Sequence, residues 1–193
     1  MDTFLYKTES LSSSLCDKII ELFENEPSRL PGKTAMGYSP EVKKTTDFCI
    51  PVSSTPESIW FDINNILHEQ LQYHLDIYIE KIKKHYNANL LHCSFLFEDT
   101  FMVQKYEQNE GRYVYHEDFN LDIEKQKYRM ITYIWYLNDV EEGGETEFWG
   151  SYKIKPTKGH LLLFPCGWIY NHTGKMPISS SKYIITGWLY TQI

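Results

Sequence analysis

The hydrophobic positions follow a helical period in two segments of the N-terminal half. Apolar residues recur at mostly helical spacing between residues 11 and 26, after a serine run that can cap the first turn, and Pro27 marks a stop. A second helical period begins near Thr55-Pro56 and runs to about His85. These patterns predict two helices, the second covering one face of a sheet, with a long irregular excursion between them at residues 27–56.

The pattern changes from Cys93 onward, where short β-branched and aromatic runs alternate with turn residues. Short strands at fairly regular spacing predict a sandwich or a barrel. Because the helices come first and the strands last, the expected class is α+β. We find no internal repeat and no linker, so we expect one domain over residues 1–193, with a helical support and lid region at 1–92 and the strand-rich core at 93–193.

Composition and charge narrow the possible partners. The formal charge of -7 argues against a general affinity for nucleic-acid backbone, which needs clustered Lys and Arg. No segment approaches the ~18 consecutive apolar residues that a transmembrane helix needs. The four cysteines are widely spaced, without a Cys-x-x-Cys pair, and fit reduced thiols. We therefore expect a cytoplasmic protein that acts on neither nucleic acid nor membrane.

Three residues have the spacing and chemistry of a metal site. His116-Glu117-Asp118 directly follows the predicted strand at residues 112–115, and residues two apart in a strand point to the same side. His172, in the strand-like IYNHTG, adds a second imidazole. Two imidazoles and one carboxylate on one face of an octahedron, with the other positions open, are typical of non-haem iron(II) oxygenases.

Lys182 is a candidate binding residue for an anion. It lies on the strand KYIITGWLY, which is otherwise apolar at alternate positions, and a cation directed into a barrel needs an anionic partner. A dicarboxylate whose other end chelates iron would supply that partner. Composition alone allows the alternative that Lys182 is only the first, solvated residue of its strand.

Other conspicuous residues have simpler interpretations. We expect Gly143-Gly144 to form a turn between strands. We expect Trp135, Trp149 and Trp168 to pack rather than to form substrate platforms. The remaining histidines lack ligand-like spacing, and we expect surface or structural roles for His68, His74, His85, His92 and His160.

A longer series of motifs, specific in order and spacing, covers about residues 100–193. In chain order it consists of Tyr106, Tyr113, His116-x-Asp118, Arg129-Met-Ile-Thr132, Tyr136-Leu-Asn-Asp-Val, Gly143-Gly-Glu-Thr146, Lys155-Pro-x-x-Gly159, Leu163-Phe164-Pro165, His172-x-Gly174 and Lys182-Tyr. The series resembles the catalytic domain of prolyl 4-hydroxylase-type 2-oxoglutarate oxygenases. That resemblance implies a double-stranded β-helix (jelly-roll) core with N-terminal helices packed on its larger sheet.

The resemblance also implies roles for individual residues. His116, Asp118 and His172 match the iron ligands, and Lys182 matches the basic residue that pairs with the distal carboxylate of 2-oxoglutarate. Six further positions match neighbours of the cosubstrate or of a bound peptide. Tyr106, Thr146, Tyr136 and Trp188 are assigned to the cosubstrate pocket, and Tyr113 and Arg129 to the substrate.

The implied activity is hydroxylation of a C–H bond with Fe(II), 2-oxoglutarate and O2, giving succinate and CO2; ascorbate is a further reductant that the resemblance allows. A peptidyl residue such as proline is the first candidate substrate. Two alternatives stay open: a hydroxylase of a free amino acid or small metabolite, and a catalytically silent binding module on the same fold. The sequence leaves the oligomeric state open.

Two irregular segments, residues 29–44 and 119–128, are expected to act as flexible lids beside the iron, since the second directly follows Asp118. Basic residues near the second lid, Lys125, Lys127 and Arg129, favour substrates carrying a carboxylate or backbone carbonyls, and a solvated loop face is the alternative interpretation.

Overall fold

The computed structural model describes residues 4–51, 56, 58–86 and 96–192. It contains both predicted helices, α1 at Ser13–Asn25 and α2 at Ile59–Tyr86. Ser12 caps α1, because its hydroxyl accepts a hydrogen bond from the Leu15 amide at 3.3 Å, and the helix ends two residues before Pro27. The predicted start of the second helix at Thr55 lies outside the described residues.

Fourteen strands lie in the described ranges. Their bounds are β1 Tyr6–Glu9, β2 Leu30–Pro31, β3 Lys43–Lys44, β4 Thr46–Cys49, β5 Phe97–Glu98, β6 Met102–Tyr106, β7 Arg112–His116, β8 Leu121–Asp122, β9 Lys127–Tyr136, β10 Thr146–Phe148, β11 Tyr152–Ile154, β12 His160–Pro165, β13 His172–Gly174 and β14 Lys182–Gln192.

The strands form two antiparallel sheets. The larger has the order β1-β12-β9-β14-β6-β4-β2, with β5 paired to β14 and β8 to β9, and the smaller has the order β11-β10-β13-β7-β3. Apart from the hairpin strands β8 and β11, successive strands from β6 to β14 alternate between the sheets. This alternation is that of a jelly roll, so the predicted double-stranded β-helix is confirmed.

Strand periodicity divides the larger sheet into two faces. On β9, Ile131, Tyr133 and Trp135 belong to a core that includes residues of both helices, whereas Ile134 and Tyr136 belong to a second core shared with the smaller sheet. We call these the outer face and the inner face. The predicted packing of the N-terminal helices on the larger sheet is thus confirmed, and the inner face borders the space between the sheets.

A glycine in the central strand makes room on the outer face. Gly187 on β14 is paired with Tyr133 on β9, and a Cβ at Gly187 would lie 2.1 Å from the Tyr133 hydroxyl oxygen. That hydroxyl instead donates a hydrogen bond to the Thr100 carbonyl at 3.0 Å. A side chain at position 187 would displace the phenol from this site.

The two segments predicted as irregular contain regular structure. Residues 119–128 form a hairpin in which Leu121 pairs with Tyr128, and residues 29–44 contain β2, β3 and a bridge between Thr34 and Gly37. Lys127 is buried, forms an ion pair with Asp99 and lies 4.0 Å from the centroid of the Tyr190 ring. Lys127 therefore has a structural environment rather than the substrate contact proposed from the sequence.

The three tryptophans that were predicted to pack differ in their exposure. Trp135 is fully buried, but Trp149 is 42% exposed and Trp168 is 76% exposed. Trp149 lies in the turn after β10 with a φ of 53°, and Trp168 begins a short 3₁₀ helix, Trp168–Tyr170, before β13. Trp149 nevertheless packs against the rings of Phe148, Tyr152 and Tyr170, and its indole N–H donates to the Ile169 carbonyl.

Cys16, Cys49 and Cys166 are free cysteines, and Cys93 lies outside the described residues. No helix in the described ranges is long and apolar enough to cross a membrane.

Candidate active site

Adjacent strands of the smaller sheet bring the three predicted metal ligands together. His116 ends β7, His172 begins β13, and the two are register partners. Asp118 lies two residues beyond the end of β7, with its carboxylate oxygens 3.6 Å from the Nε2 atoms of both histidines. One ligand atom from each residue lies within 4.8 Å of the other two, so the group could hold a metal ion.

Backbone carbonyls orient both imidazoles. Nδ1 of His116 donates to the Val114 carbonyl at 2.8 Å, and Nδ1 of His172 donates to the Tyr170 carbonyl at 2.9 Å. In the neutral tautomer that these hydrogen bonds favour, each Nε2 atom is available to bind a metal, an arrangement typical of metal-binding histidines.

The protonation states also suit a divalent metal. Burial acts to raise the pKa of the Asp118 carboxyl, but His172, His116 and the Thr132 hydroxyl hold that pKa well below its ordinary value. Burial lowers the pKa of His172 to about 4. A carboxylate and a neutral imidazole are the forms that coordinate a cation, so the donor set fits Fe(II).

Thr132 and Arg129 fix the position of Asp118. The Thr132 hydroxyl donates to Asp118 Oδ2 at 2.8 Å and lies 3.2 Å from the Cys166 sulfur. Arg129 donates to the Asp118 carbonyl at 3.3 Å, and its guanidinium lies 3.4 Å from the centroid of the Trp188 ring. Residues on the larger sheet therefore orient a ligand that follows a strand of the smaller sheet.

Lys182 is a buried cation with few partners. Its side chain donates to the Gly144 carbonyl at 3.0 Å. Its ammonium lies 3.9 Å from the centroid of the Tyr106 ring, on the adjacent strand β6 of the same sheet. Only 1% of the residue is exposed, and burial lowers the pKa of its amine to about 7. The alternative that Lys182 is a solvated strand end is wrong, and a bound anion fits this environment.

A single cavity of about 420 Å³ connects these groups. Nine of the ten predicted site residues line it, on both sheets. They are Tyr106, Tyr113, His116, Asp118, Arg129, Thr146, His172, Lys182 and Trp188. The tenth, Tyr136, lies behind Thr146, whose hydroxyl is 2.7 Å from the Tyr136 hydroxyl. Tyr113 also stacks on His116, with 3.6 Å between the ring centroids.

Sequence reasoning missed three polar residues of this site. Gln104 and Lys43 line the cavity, and Thr132 lies directly behind Asp118. Gln104 and Thr132 are polar positions on the inner side of otherwise apolar strands, and that periodicity could have identified them. Lys43 belongs to the segment predicted as irregular, and its burial depends on Asp47, with which it forms an ion pair.

Comparison with known proteins connects this geometry to a family. Residues 101–190 match the family model of the 2OG-Fe(II) oxygenase superfamily. The chain matches none of the curated proteins.

Solved structures of similar fold cover almost the whole chain. The viral collagen prolyl hydroxylase of Paramecium bursaria Chlorella virus-1, in its 2OG complex, superposes with a TM-score of 0.70 at 18% identity, over 98% of this chain and 97% of that chain. A Pseudomonas putida prolyl-4-hydroxylase gives 0.66 at 15% identity, over 98% and 92%. A Trichoplax adhaerens prolyl hydroxylase in complex with a hypoxia inducible factor peptide fragment gives 0.69 at 18% identity, over 98% and 84%.

The family match, the fold and the convergent His, Asp and His side chains lead to one conclusion. Fe(II), 2-oxoglutarate and O2 are the cofactor and cosubstrates that this family uses. Residues 101–190 are a 2OG-Fe(II) oxygenase domain, which makes the protein a 2-oxoglutarate-dependent dioxygenase, and the chain has the fold of the prolyl hydroxylases.

Proposed function

We propose that this dioxygenase hydroxylates a peptidyl residue, with proline as the first candidate. In this proposal His116, Asp118 and His172 hold Fe(II), and Lys182 pairs with the distal carboxylate of 2-oxoglutarate. The observation that carries the proposal is that the three convergent ligands and the buried lysine line one cavity. A dicarboxylate can therefore contact a metal at one end and a cation at the other.

When bound, Fe(II) and 2-oxoglutarate supply the oxidising chemistry, in which O2 is consumed, succinate and CO2 are released, and the substrate C–H bond becomes C–OH. The protein contributes orientation. His116, Asp118 and His172 would hold Fe(II) at the wall of the cavity, where 2-oxoglutarate and O2 could reach it. Thr132 holds Oδ2 of Asp118, which keeps the carboxylate in a fixed orientation.

The cosubstrate end of the cavity combines one charge with two hydroxyls. Lys182 supplies the charge, and Tyr106 and Thr146 line the cavity near it. Thr146 is oriented by the buried Tyr136 hydroxyl. Because these groups are nearly inaccessible to water, a charge-assisted hydrogen bond here is stronger than one at the surface.

Two further residues are proposed to contact the substrate. Tyr113 and Arg129 line the cavity close to Asp118, and Arg129 is held in place by stacking on Trp188, which is assigned to the cosubstrate pocket. A peptide substrate is supported by the similar structures, which are named as prolyl hydroxylases, one of them in complex with a peptide fragment.

The two lid segments are also proposed to take part. Residues 33–36 and 119–120 line the cavity, and Met36 is 97% exposed at the tip of its hairpin. We propose that they order over a bound substrate. Hydrogen exchange with and without 2-oxoglutarate and substrate tests this, and equally strong protection of both segments in the free enzyme would contradict it.

The substrate proposal is tested with anaerobically purified protein loaded with Fe(II) and supplied with 2-oxoglutarate. Proline-containing peptides, matched peptides with alanine in place of proline, and free amino acids are incubated in air and analysed by mass spectrometry. We expect a +16 Da product from a proline peptide and none from its alanine counterpart. Modification of a free amino acid alone would replace the peptide assignment, and an absence of 2-oxoglutarate turnover under all conditions would indicate a silent binding module.

A further inference from the structure

A buried polar cluster lies beside Tyr106. Lys43 and Asp47 form an ion pair of 2.7 Å, with side chains only 4% and 10% exposed. The Gln104 side-chain amide, on a residue that is 3% exposed, donates to the same Asp47 oxygen, Oδ2, at 3.3 Å. We call Lys43, Asp47 and Gln104 the buried polar cluster. Lys43 and Gln104 line the cavity, and because removing two charges from water is costly, an ion pair buried directly behind its wall indicates more than packing.

The cluster fixes which end of the Gln104 amide faces Tyr106. A carboxylate only accepts hydrogen bonds, so the NH2 group of Gln104 must point toward Asp47. The carbonyl oxygen, Oε1, then points the other way and accepts a hydrogen bond from the Tyr106 hydroxyl at 3.5 Å. Strand pairing holds this arrangement, because Asp47 on β4 is the register partner of Gln104 on β6.

The Tyr106 hydroxyl has a single proton. In the structure the proton is directed to Gln104, whereas a carboxylate ligand, which only accepts, would also require it. The Gln104 amide cannot rotate to donate instead, since its NH2 group is held by Asp47, which in turn is held by Lys43. Binding of a carboxylate at Tyr106 would therefore leave Gln104 Oε1 without a donor.

We propose that Gln104 is a positioning residue that competes with the cosubstrate for the Tyr106 proton and so weakens 2-oxoglutarate binding. The inference rests on the proposed function, in which Tyr106 contacts the distal carboxylate. In this inference the buried polar cluster sets the affinity of the protein for 2-oxoglutarate. Replacing Gln104 with an apolar residue of similar size should thus tighten binding, whereas loss of a purely structural contact would weaken it or leave it unchanged.

The test measures 2-oxoglutarate affinity by calorimetry on protein loaded with Mn(II), without turnover. We expect Gln104→Leu to tighten binding by about two- to threefold, the weak end of the range for a hydrogen bond, because the Tyr106–Gln104 contact of 3.5 Å is long. Tyr106→Phe should weaken binding by a similar factor, and adding Gln104→Leu to it should have no further effect, because no proton is left to compete for. Unchanged or weaker binding by Gln104→Leu alone would overturn the proposal.

A second ligand separates the carboxylate effect from a general change of the pocket. 2-Oxopentanoate has the chain of 2-oxoglutarate without the distal carboxylate, and its affinity should be the same for Gln104→Leu and the native protein. Equal tightening of both ligands would overturn the proposal. Thermal unfolding verifies that each variant is folded, and Gln104→Met, with the same prediction, replaces Gln104→Leu if the latter does not fold.

The same data distinguish this inference from the proposed function. If Tyr106→Phe leaves 2-oxoglutarate affinity unchanged, the cosubstrate contact at Tyr106 is wrong, and the inference is wrong with it. If Tyr106→Phe weakens binding but Gln104→Leu does not tighten it, the inference alone is overturned.

Discussion

The two faces of the larger sheet are built by the same strands and have opposite properties. The outer face is nearly all apolar and packs against α1 and α2, with members Val103, Ile131, Tyr133, Trp135, Leu161, Leu163, Ile185 and Leu189. The inner face carries buried polar groups between its apolar ones, including Gln104, Tyr106, Thr132, Lys182 and Thr186. Burial of the apolar outer face thus offsets the cost of burying polar groups on the inner face.

The largest effect on the inner site is expected from loss of the carboxylate ligand. Asp118→Ala leaves two imidazoles, too few donors for a divalent ion, and should reduce Mn(II) or Fe(II) affinity by more than about 100-fold and abolish succinate formation. Glu117→Ala removes the neighbouring carboxylate, which is not one of the three ligands, and should leave metal affinity unchanged. Metal titration by calorimetry measures both, and native metal affinity in Asp118→Ala would exclude this residue from the site.

The next effect concerns the buried cation. Lys182→Met should weaken 2-oxoglutarate binding by about 10- to 100-fold while metal still binds, since a charge-assisted hydrogen bond contributes roughly 1.5–3 kcal/mol. Lys105→Met is the matched control, because Lys105 points the other way on β6 and contacts Glu24 at 3.0 Å. Equal 2-oxoglutarate affinities of the two variants would remove Lys182 from the cosubstrate pocket.

The same substitution should stabilise the ligand-free protein. Burial lowers the pKa of Lys182 to about 7 from an ordinary value of 10.5, so the folded state binds its proton less tightly than the unfolded state does. The cost to stability is fully present below pH 7 and disappears as the pH rises from 7 to 10.5. Lys182→Met should therefore raise the free energy of unfolding by on the order of 5 kcal/mol at pH 6 and by less than about 1 kcal/mol at pH 10. Denaturant unfolding at both pH values checks this, and a gain independent of pH would contradict it.

A smaller effect on metal affinity is expected from Thr132, which contacts the proposed ligand Asp118 but is not itself a ligand. Thr132→Val keeps the shape of the side chain but removes the donor to Asp118 Oδ2, and should lower metal affinity by roughly 10-fold with little loss of stability. Thr132→Ser restores the hydroxyl and should recover most of that affinity. The d–d absorption of bound Co(II) reports the coordination geometry. Identical Co(II) spectra and affinities in all three proteins would show that Thr132 does not position the ligand.

On the outer face the same strands should respond in the opposite way. Leu163→Ala deletes a fully buried side chain of β12 and should lower the free energy of unfolding by about 2–5 kcal/mol. Metal affinity and 2-oxoglutarate affinity of the folded fraction should be unchanged. Denaturant unfolding combined with calorimetry measures both quantities. Altered ligand affinity would show that the two faces are coupled more closely than the packing indicates.

Much of this division could be predicted from the sequence. The alternation of apolar and polar residues predicts the strands of the core. The His116-x-Asp118 spacing and the position of Lys182 on an otherwise apolar strand predict residues that the fold brings to one cavity. His116 and Asp118 are far from His172 in sequence, but β7 and β13 pair directly.

The remaining features depend on tertiary contacts that no local pattern records. Lys43 lies in a stretch rich in Gly and Pro and is buried only because Asp47 on another sheet neutralises it. Residues 119–128 lack a clear period, and the hairpin there is set by pairing with β9. Trp149 is apolar but lies in a tight turn, where the backbone rather than hydrophobicity decides its exposure.

The close approach at Gly187 restricts how this sequence can change. Because a Cβ at position 187 would overlap the phenol of Tyr133, Gly187 cannot be exchanged while Tyr133 stays. Among homologous sequences of this fold, we expect the two columns to covary: glycine at 187 wherever an aromatic ring occupies 133, and larger residues at 187 only together with a small side chain at 133. Two positions far apart in the chain would thus reveal the pairing of β9 with β14 through their covariation alone.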